Sequence, residues 1–461
     1  MPKDILVLMT DQHRFDWVGV PHVRTPTLDS LAAEGLRLTR CYTTSPICMP
    51  ARTSFLTGMY PHNFGMWDNV GRLQDTGDSC LHAIREAGYG TCHVGKSHLY
   101  PHGFGKDLRS EEPYMHALGW DDIRECTGPL STQTTKSILT DFFEANGILD
   151  LFMEDYRRRK EVGMDLAFWP SPLPDGKHAD DFIGMQAVDY IASSDRSKPL
   201  YLFVGIGGPH NPWDPPQRFD TYRSEDMPTP LPRDPAPQWL SGPALEFHRK
   251  LMGHHKDTTG EQFARLRALY SGKVEHVDSV MGRVLEAWHA TRGRDTWVLF
   301  WSDHGEMAGD KGRCHKETFF ESSAHVPAIL RPPGGASAPV TSDGLVSLTD
   351  LTATVLDAAG CEPQANVFGL SVRPALDGSA VGSSAVVSEI NDVTMVFDGR
   401  WKMTLNTRND VLQLFDLTED PTESLNLAGR PDTDGEVRRL RDELLDFRLR
   451  TDDRQFREVN G

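Results

Sequence analysis

Trp297-Val298-Leu299-Phe300-Trp301, followed at once by Ser302-Asp303-His304-Gly305-Glu306, is the stretch from which the fold can be read. Five apolar residues without alternation have the length of a strand and the composition of one covered on both faces. The abrupt change to Ser, Asp, His and Gly marks the point where that strand gives way to a loop. The same pairing recurs. Ile5-Leu6-Val7-Leu8-Met9 runs into Thr10-Asp11-Gln12, and Gly90–Val94 runs into Gly95-Lys96-Ser97-His98. Pro199-Leu200-Tyr201-Leu202-Phe203-Val204 precedes Gly207-Gly208-Pro209-His210-Asn211-Pro212.

Helical patterns lie between these runs. Thr27–Glu34 is stopped by Gly35, and Ile183, Ala187, Tyr190 and Ile191 share one face of a helix before the strand at 200. Leu266, Leu269, Val274, Val277, Met281, Val284, Leu285 and Trp288 define a long helix over about 262–290. Strands alternating with helices indicate an α/β fold, a large and mostly parallel sheet sandwiched by helices. After about residue 378 the pattern turns to short strands. Thr394–Phe397 and Trp401–Thr404 flank Asp398-Gly399, a hairpin signal, and a charged helix follows at about 434–449. The pattern therefore divides into a large α/β domain over 1–378 and a smaller C-terminal α+β subdomain over 379–461. Residues 101–178 show no clear βα period and read as a variable insertion or lid; the proline-rich 207–237 reads as an ordered, helix-poor loop.

Composition narrows the function classes. With 48 Lys and Arg against 66 Asp and Glu, the formal charge of the 461-residue chain is −18. That balance argues against non-specific nucleic-acid binding and against an anionic membrane surface, both of which reward positive charge. No run approaches the ~20 apolar residues of a membrane helix. Ile5–Met9 is too short for a secretory signal and has no small-residue cleavage site, so a cytoplasmic location is expected. The seven cysteines are scattered and form neither a disulfide framework nor a CxxC metal site.

Four strands deliver Asp, His and Lys to their C-terminal ends, the edge at which open α/β sheets bind ligands. Carboxylates from two strands and a histidine suit a hard divalent cation, and lysines beside it suit an oxyanion. Each residue alone has a plainer explanation. An Asp after a strand caps helices, Asp303-His304-Gly305 can be a turn, and His210 between prolines can brace a loop. Their shared placement is what carries weight. Cys48-Met49-Pro50-Ala51-Arg52 adds a thiol at a helix start near an arginine, two features that lower a thiol pKa; most lone cysteines are nonetheless buried and inert.

This segment, continued by Leu56-Thr57-Gly58, resembles the sulfatase signature C-x-P-x-R. Other landmarks follow in family order. Thr10-Asp11-Gln12 ends the first strand, Arg24-Thr25-Pro26-Thr27-Leu28-Asp29 resembles "TPNLD", Gly95–His98 resembles "GKWH", Pro209–Pro212 resembles "PHxP" and Ser302–Gly305 resembles "SDHG". Lys316 precedes Val326-Pro327 as a family lysine does, and Leu414–Leu427 resembles "LYDLxxDPxExxNL". The chain is identified as similar to the formylglycine-dependent (type I) sulfatases of the alkaline phosphatase-like superfamily, over nearly its whole length.

The resemblance implies hydrolysis of sulfate monoesters, aryl or small alkyl, with release of sulfate. Cys48 would be oxidised to formylglycine by a formylglycine-generating enzyme, and its hydrate would be the nucleophile. Asp11, Asp303, His304 and modified Cys48 match the ligands of one divalent metal ion, Ca²⁺ or Mn²⁺. Gln12 stands where many members carry a second aspartate. Arg52 would orient the formylglycine, Lys96 and Lys316 would neutralise sulfate oxygens, His210 would protonate the leaving group and His98 would deprotonate the hemiacetal. Asp-Gln together with Asp-His also resembles phosphonate monoester hydrolases and choline sulfatases, so a phosphonate monoester or phosphodiester hydrolase is the runner-up. A non-catalytic anion-binding relative is the third reading. A small sulfate ester is the expected partner, without nucleic acid or membrane, and a homo-oligomer is left open.

Overall fold

The computed structural model describes residues 2–103 and 105–452. Nine strands form the large sheet: β1 (Ile5–Asp11), β2 (Leu36–Tyr42), β3 (Gly90–Gly95), β4 (Asp122–Glu125), β5 (Leu200–Pro209), β6 (Trp297–Ser302), β7 (His325–Arg331), β8 (Val340–Ser342) and β9 (Val346–Ser347). Their order is β4-β3-β5-β1-β6-β7-β2-β8, with β9 also on β2. All neighbouring pairs are parallel except those of β7, which is antiparallel to both β6 and β2.

Unbroken apolar strands follow from this placement, because both faces are covered. Ile5, Val7 and Met9 of β1 join Tyr201, Phe203, Leu299 and Trp301 in one core, against Phe55 of the helix Cys48–Thr57 and Leu351 and Val355 of the helix Leu348–Ala359. Leu6 and Leu8, pointing the other way, join Leu202, Val204, Val298 and Phe300. That second core is closed by Ile183 and Ala187 of the helix Ala179–Ser193 and by Val277, Val280 and Val284 of the helix Gly260–Arg292. The C-terminal part of the long helix's apolar stripe thus covers the sheet, while Leu266, Leu269 and Val274 pack with Trp17 and Trp213.

A smaller antiparallel sheet follows: β10 (Val386–Ile390), β11 (Val393–Phe397), β12 (Trp401–Asn406) and β13 (Val411–Asp416), in sequential order. Asp398-Gly399 makes the β11–β12 turn, and the helix Asp434–Thr451 covers one face through Leu440 and Phe447. Lys402 of β12 reaches into the main body, donating to the carbonyl of Phe319 at 3.0 Å and to Glu423 at 2.7 Å, and also contacting Glu321. The segment 101–178 supplies the edge strand β4 and the helices Ile138–Ala145 and Leu149–Val162, whose Leu139, Phe143 and Phe152 enter the second core. Asp-Ile-Arg-Glu holds one apolar residue, too few for a strand pattern to show in the sequence. Among the described residues no helix is long and apolar enough to cross a membrane.

Register aligns the strand ends. Thr10 pairs with Ser302, Asp11 with Pro209 and Gly95 with Gly205, so Asp11, Asp303, His210 and Lys96 leave the sheet along one edge. β5 runs beyond Val204 through glycines because β3 and β5 come very close there. The Lys96 amide donates to the Gly205 carbonyl at 2.8 Å, and a Cβ on Gly205 would lie 2.4 Å from the Lys96 carbonyl oxygen. Backbone, not a movable side chain, opposes it. Gly205→Ala is therefore expected to cost about 1–3 kcal/mol, read as a lower unfolding midpoint, with lost activity as Lys96 shifts. An unchanged midpoint would show that this approach is dispensable.

Candidate active site

Cys48 opens a fully buried ten-residue helix that begins at the same sheet edge, after β2. Pro50 sits in its first turn, where a missing N–H removes no helical hydrogen bond. Arg52 points back across the helix start and ties three elements together. Its Nη2 donates to Asp11 Oδ2 at 2.7 Å, Nε to Asp303 Oδ2 at 2.8 Å, and Nη1 to the carbonyls of Lys96 and Ser97 at 2.9 and 3.1 Å. Lys96 also contacts Asp11 Oδ2.

With each Oδ2 engaged by Arg52, the Oδ1 atoms of Asp11 and Asp303 lie 3.7 and 3.6 Å from His304 Nε2. His304 Nδ1 is 3.1 Å from the Gly305 carbonyl. A carbonyl only accepts, so Nδ1 carries a hydrogen and Nε2 is the ring atom turned to the carboxylates; burial works against charge on the ring, but Asp303 and Cys48 raise it above the ordinary imidazole value. The Cys48 sulfur is 3.2 Å from that nitrogen and 3.9 Å from Asp11 Oδ1. Asp11, Cys48, Asp303 and His304, all buried, present donor atoms within 4.8 Å of one another. Two carboxylate oxygens, one imidazole nitrogen and the side chain of residue 48 are a donor set that fits a hard or borderline divalent cation.

Lys316 Nζ lies 3.1 Å from the Cys48 sulfur and donates to Gln12 Oε1 at 2.9 Å. Gln12 Nε2 is turned away to Glu306, whose Oε1 also accepts from the amides of Ala308 and His315 at 2.7 Å. The amide thus bridges a lysine and a carboxylate. Gln12, His315 and Glu317 all have positive φ, 68°, 69° and 68°, so the two loops that present Gln12 and Lys316 hold unusual backbone at the site. His210 donates from Nδ1 to the Asn211 carbonyl at 2.7 Å, which turns Nε2 outward. His98 packs beside His102, ring centroids 4.9 Å apart, and both His98 and His210 interact with the Cys48 sulfur.

The electrostatics follow from these contacts. Burial alone would raise the Cys48 thiol, but Lys316, His304 and Lys96 outweigh it and bring it well below the ordinary thiol value. Burial and then Cys48 work against charge on Asp11, yet Lys96, His210 and Arg52 hold it low. Asp303 is raised by burial and by Asp11. Burial opposes charge on Lys316 too, but Cys48 and Asp11 raise it. Burial drops His98 to about 3, and burial with Lys316 drops His210 to about 4.

Every residue singled out in the sequence thus meets at one centre. The floor of a cavity of about 650 Å³ is formed by Cys48, Lys96, His98, His210 and Lys316. Its walls include residues the sequence reading passed over: Asn69, His102, Asp165, His254, His255, Arg313 and His315. Glu306 was also passed over, although it closes the Ser302–Glu306 run two residues from His304. Arg313 and His315 flank Lys316 closely enough to have been considered, whereas Asp165 and His254 carry no local pattern.

A family model described as "Sulfatase" matches residues 3–361, and one described as "N-sulphoglucosamine sulphohydrolase, C-terminal" matches residues 309–450. The arylsulfatase of Clostridium perfringens (strain 13 / Type A) is 28% identical over 477 residues, covering 96% of this chain and 94% of the relative. The choline-sulfatase of Rhizobium meliloti (strain 1021) is 28% identical over 454 residues, covering 93% and 83%. The crystal structure of the phosphonate monoester hydrolase of Agrobacterium radiobacter superposes with a TM-score of 0.79 at 22% identity, over 97% of this chain and 96% of that one, a likeness of fold.

The guanidinium between Asp11 and Asp303 generates a direct expectation. Arg52→Met keeps the stem, removes the ion-pair partner of Asp303 and leaves Asp11 to Lys96 alone. Removing one partner of a buried charge cluster costs about 3–5 kcal/mol, so the unfolding midpoint should fall sharply. An unchanged midpoint would show that Arg52 does not balance these charges.

Proposed function

We propose that this chain, which belongs to the sulfatase family, hydrolyses sulfate monoesters, aryl or small alkyl, with residue 48 as the nucleophile. The supporting observation is the position of the Cys48 side chain, 3.1 Å from Lys316 Nζ and 3.2 Å from His304 Nε2 at the floor of the cavity. Oxidised to formylglycine by a formylglycine-generating enzyme, residue 48 would supply a hydrate hydroxyl for attack and, on reverting to the aldehyde, release sulfate without hydrolysis of a sulfated side chain. Asp11, Asp303, His304 and residue 48 would hold one divalent cation, Ca²⁺ or Mn²⁺, which lowers the pKa of that hydroxyl and offsets sulfate charge.

The other residues take roles that their contacts support. Lys96, from the end of β3, and Lys316, from the loop after β6, neutralise oxygens of the transferring group, in a buried site where such charges act strongly. Arg52 keeps Asp11 and Asp303 at a fixed spacing and so positions their inward oxygens. Gln12 orients Lys316 rather than serving as a ligand, since its oxygen accepts from Nζ and its nitrogen is committed to Glu306. His98 stands beside residue 48 as the base that reopens the aldehyde. His210, with Nδ1 fixed, offers Nε2 to the leaving oxygen. In the free site burial and Lys316 keep it neutral; an anionic ester between the lysines reverses that sign and favours the imidazolium.

A phosphonate monoester or phosphodiester hydrolase is the second reading, drawn from Gln12 and His304 at the centre. Lys96 and His98 beside residue 48 favour the sulfatase. Rates on an aryl sulfate, a phosphonate monoester and a phosphodiester with one leaving group decide between them; a sulfate rate far below the other two would overturn the proposal.

For His210, a general acid matters most when the leaving group is poor. His210→Ala should slow weakly activated aryl or alkyl sulfates about 10²–10⁴-fold and nitrophenyl sulfate much less, steepening the Brønsted plot against leaving-group pKa. An unchanged slope would remove His210 from proton transfer.

A further inference from the structure

One wall of the active-site cavity holds a charge that the chemistry at residue 48 does not use. Arg313 is 7% exposed and lines the cavity. Among the described residues its guanidinium makes one hydrogen bond, Nη1 to the Leu251 carbonyl at 2.8 Å, and no ion pair, while Nε is buried without a partner. Elsewhere in this chain buried arginines are matched. Arg14 and Arg267 share Asp310, Arg159 has Asp155, and Arg331 has Glu34. Burying a guanidinium without an anion is costly, and its planar fork is built for a carboxylate or sulfate.

The acids nearby do not fill that place. Asp165 is engaged by His315, whose Nε2 is 2.7 Å from Oδ1, with His255 Nε2 3.7 Å from Oδ2. Glu317 lines the same cavity but is exposed, so water screens it. His254 and His255 share this wall and are positioned by their backbone, since Arg233 donates to the His254 carbonyl at 2.7 Å and also to that of His255 at 2.5 Å. Arg313, with no ion pair among the described residues, thus shares with His254 and His255 one wall of the cavity that Cys48 and Lys316 also line.

We propose that Arg313, with His254, forms a second anion subsite, and that the substrate is a sulfate ester carrying another negatively charged group, a carboxylate or a second sulfate. This rests on the sulfatase reading above and narrows it to dianionic esters. Arg313 is three residues from Lys316, a stretch of backbone that spans at most ~10 Å, and both side chains line the same cavity. The reacting sulfate sits against Lys316 and Lys96, and the second anion sits against the arginine fork. Arg313 is a specificity-determining residue and takes no part in bond breaking.

The test uses the full-length, formylglycine-containing enzyme with two esters of matched leaving group, 4-nitrophenyl sulfate and 3-carboxy-4-nitrophenyl sulfate. Each is also prepared as the phenylphosphonate monoester. The series that turns over reports the reaction class, and the ratio within that series reports the subsite. The wild type should prefer the carboxylated ester in kcat/KM. Arg313→Gln should lower kcat/KM for that ester about 10- to 100-fold, the usual loss of a hydrogen bond to a charged partner, mainly through KM, with less than about threefold change for the ester without the carboxylate. Arg313→Lys should restore part of the preference, and His254→Ala, on the exposed loop, should weaken it without lowering the unfolding midpoint. Equal losses on both esters, or a wild type indifferent to the carboxylate, would overturn the subsite. Turnover of the phosphonate series alone would overturn the sulfatase reading while the ratio still decides the subsite, and turnover of neither would overturn both.

Discussion

The site depends on one guanidinium. Arg52 joins the ends of β1 and β6 through Asp11 and Asp303, and joins the end of β3 through the carbonyls of Lys96 and Ser97. Three strands and the helix that carries Cys48 are therefore held by a single planar group. Two buried carboxylates so close together would repel each other; the arginine compensates them from behind and leaves their other oxygens facing His304 and residue 48. Charge and geometry are settled by the same contact. A lysine would supply the charge without the fixed fork.

Around that centre the two halves of the molecule contribute differently. Parallel strands with matched register bring Asp11, Lys96, His210 and Asp303 to one edge, and only the sheet is needed for that. Lys316 arrives by a loop after β6 whose backbone is held by Glu306 and, further along, by Lys402 of the small sheet through the Phe319 carbonyl and Glu321. The C-terminal sheet thus acts on the centre by fixing the loop that carries one cation.

The main sheet was legible because a strand covered on both faces must be apolar throughout, and Ile5–Met9, Leu200–Val204 and Trp297–Trp301 are. The long helix was legible because its stripe is long. β4 was not, since an edge strand four residues long needs little burial and Asp122–Glu125 supplies little. The residues of the centre were legible from their placement directly after strands and, for Cys48, Arg52 and Lys316, from family resemblance. The contacts of Gln12 were not, because Glu306 and Lys316 meet it only in three dimensions. Arg313 was missed for a related reason: what marks it is the absence of an ion pair among the described residues, and no sequence pattern records that.

The most direct test of the account is to measure the aldehyde content of residue 48 against turnover. Preparations made with graded amounts of a formylglycine-generating enzyme would be compared by mass spectrometry of the peptide carrying residue 48 and by the rate of aryl sulfate hydrolysis. The account predicts that rate rises in proportion to the aldehyde fraction and extrapolates to zero where residue 48 is entirely thiol. Full activity in a preparation whose residue 48 is unmodified cysteine would contradict it.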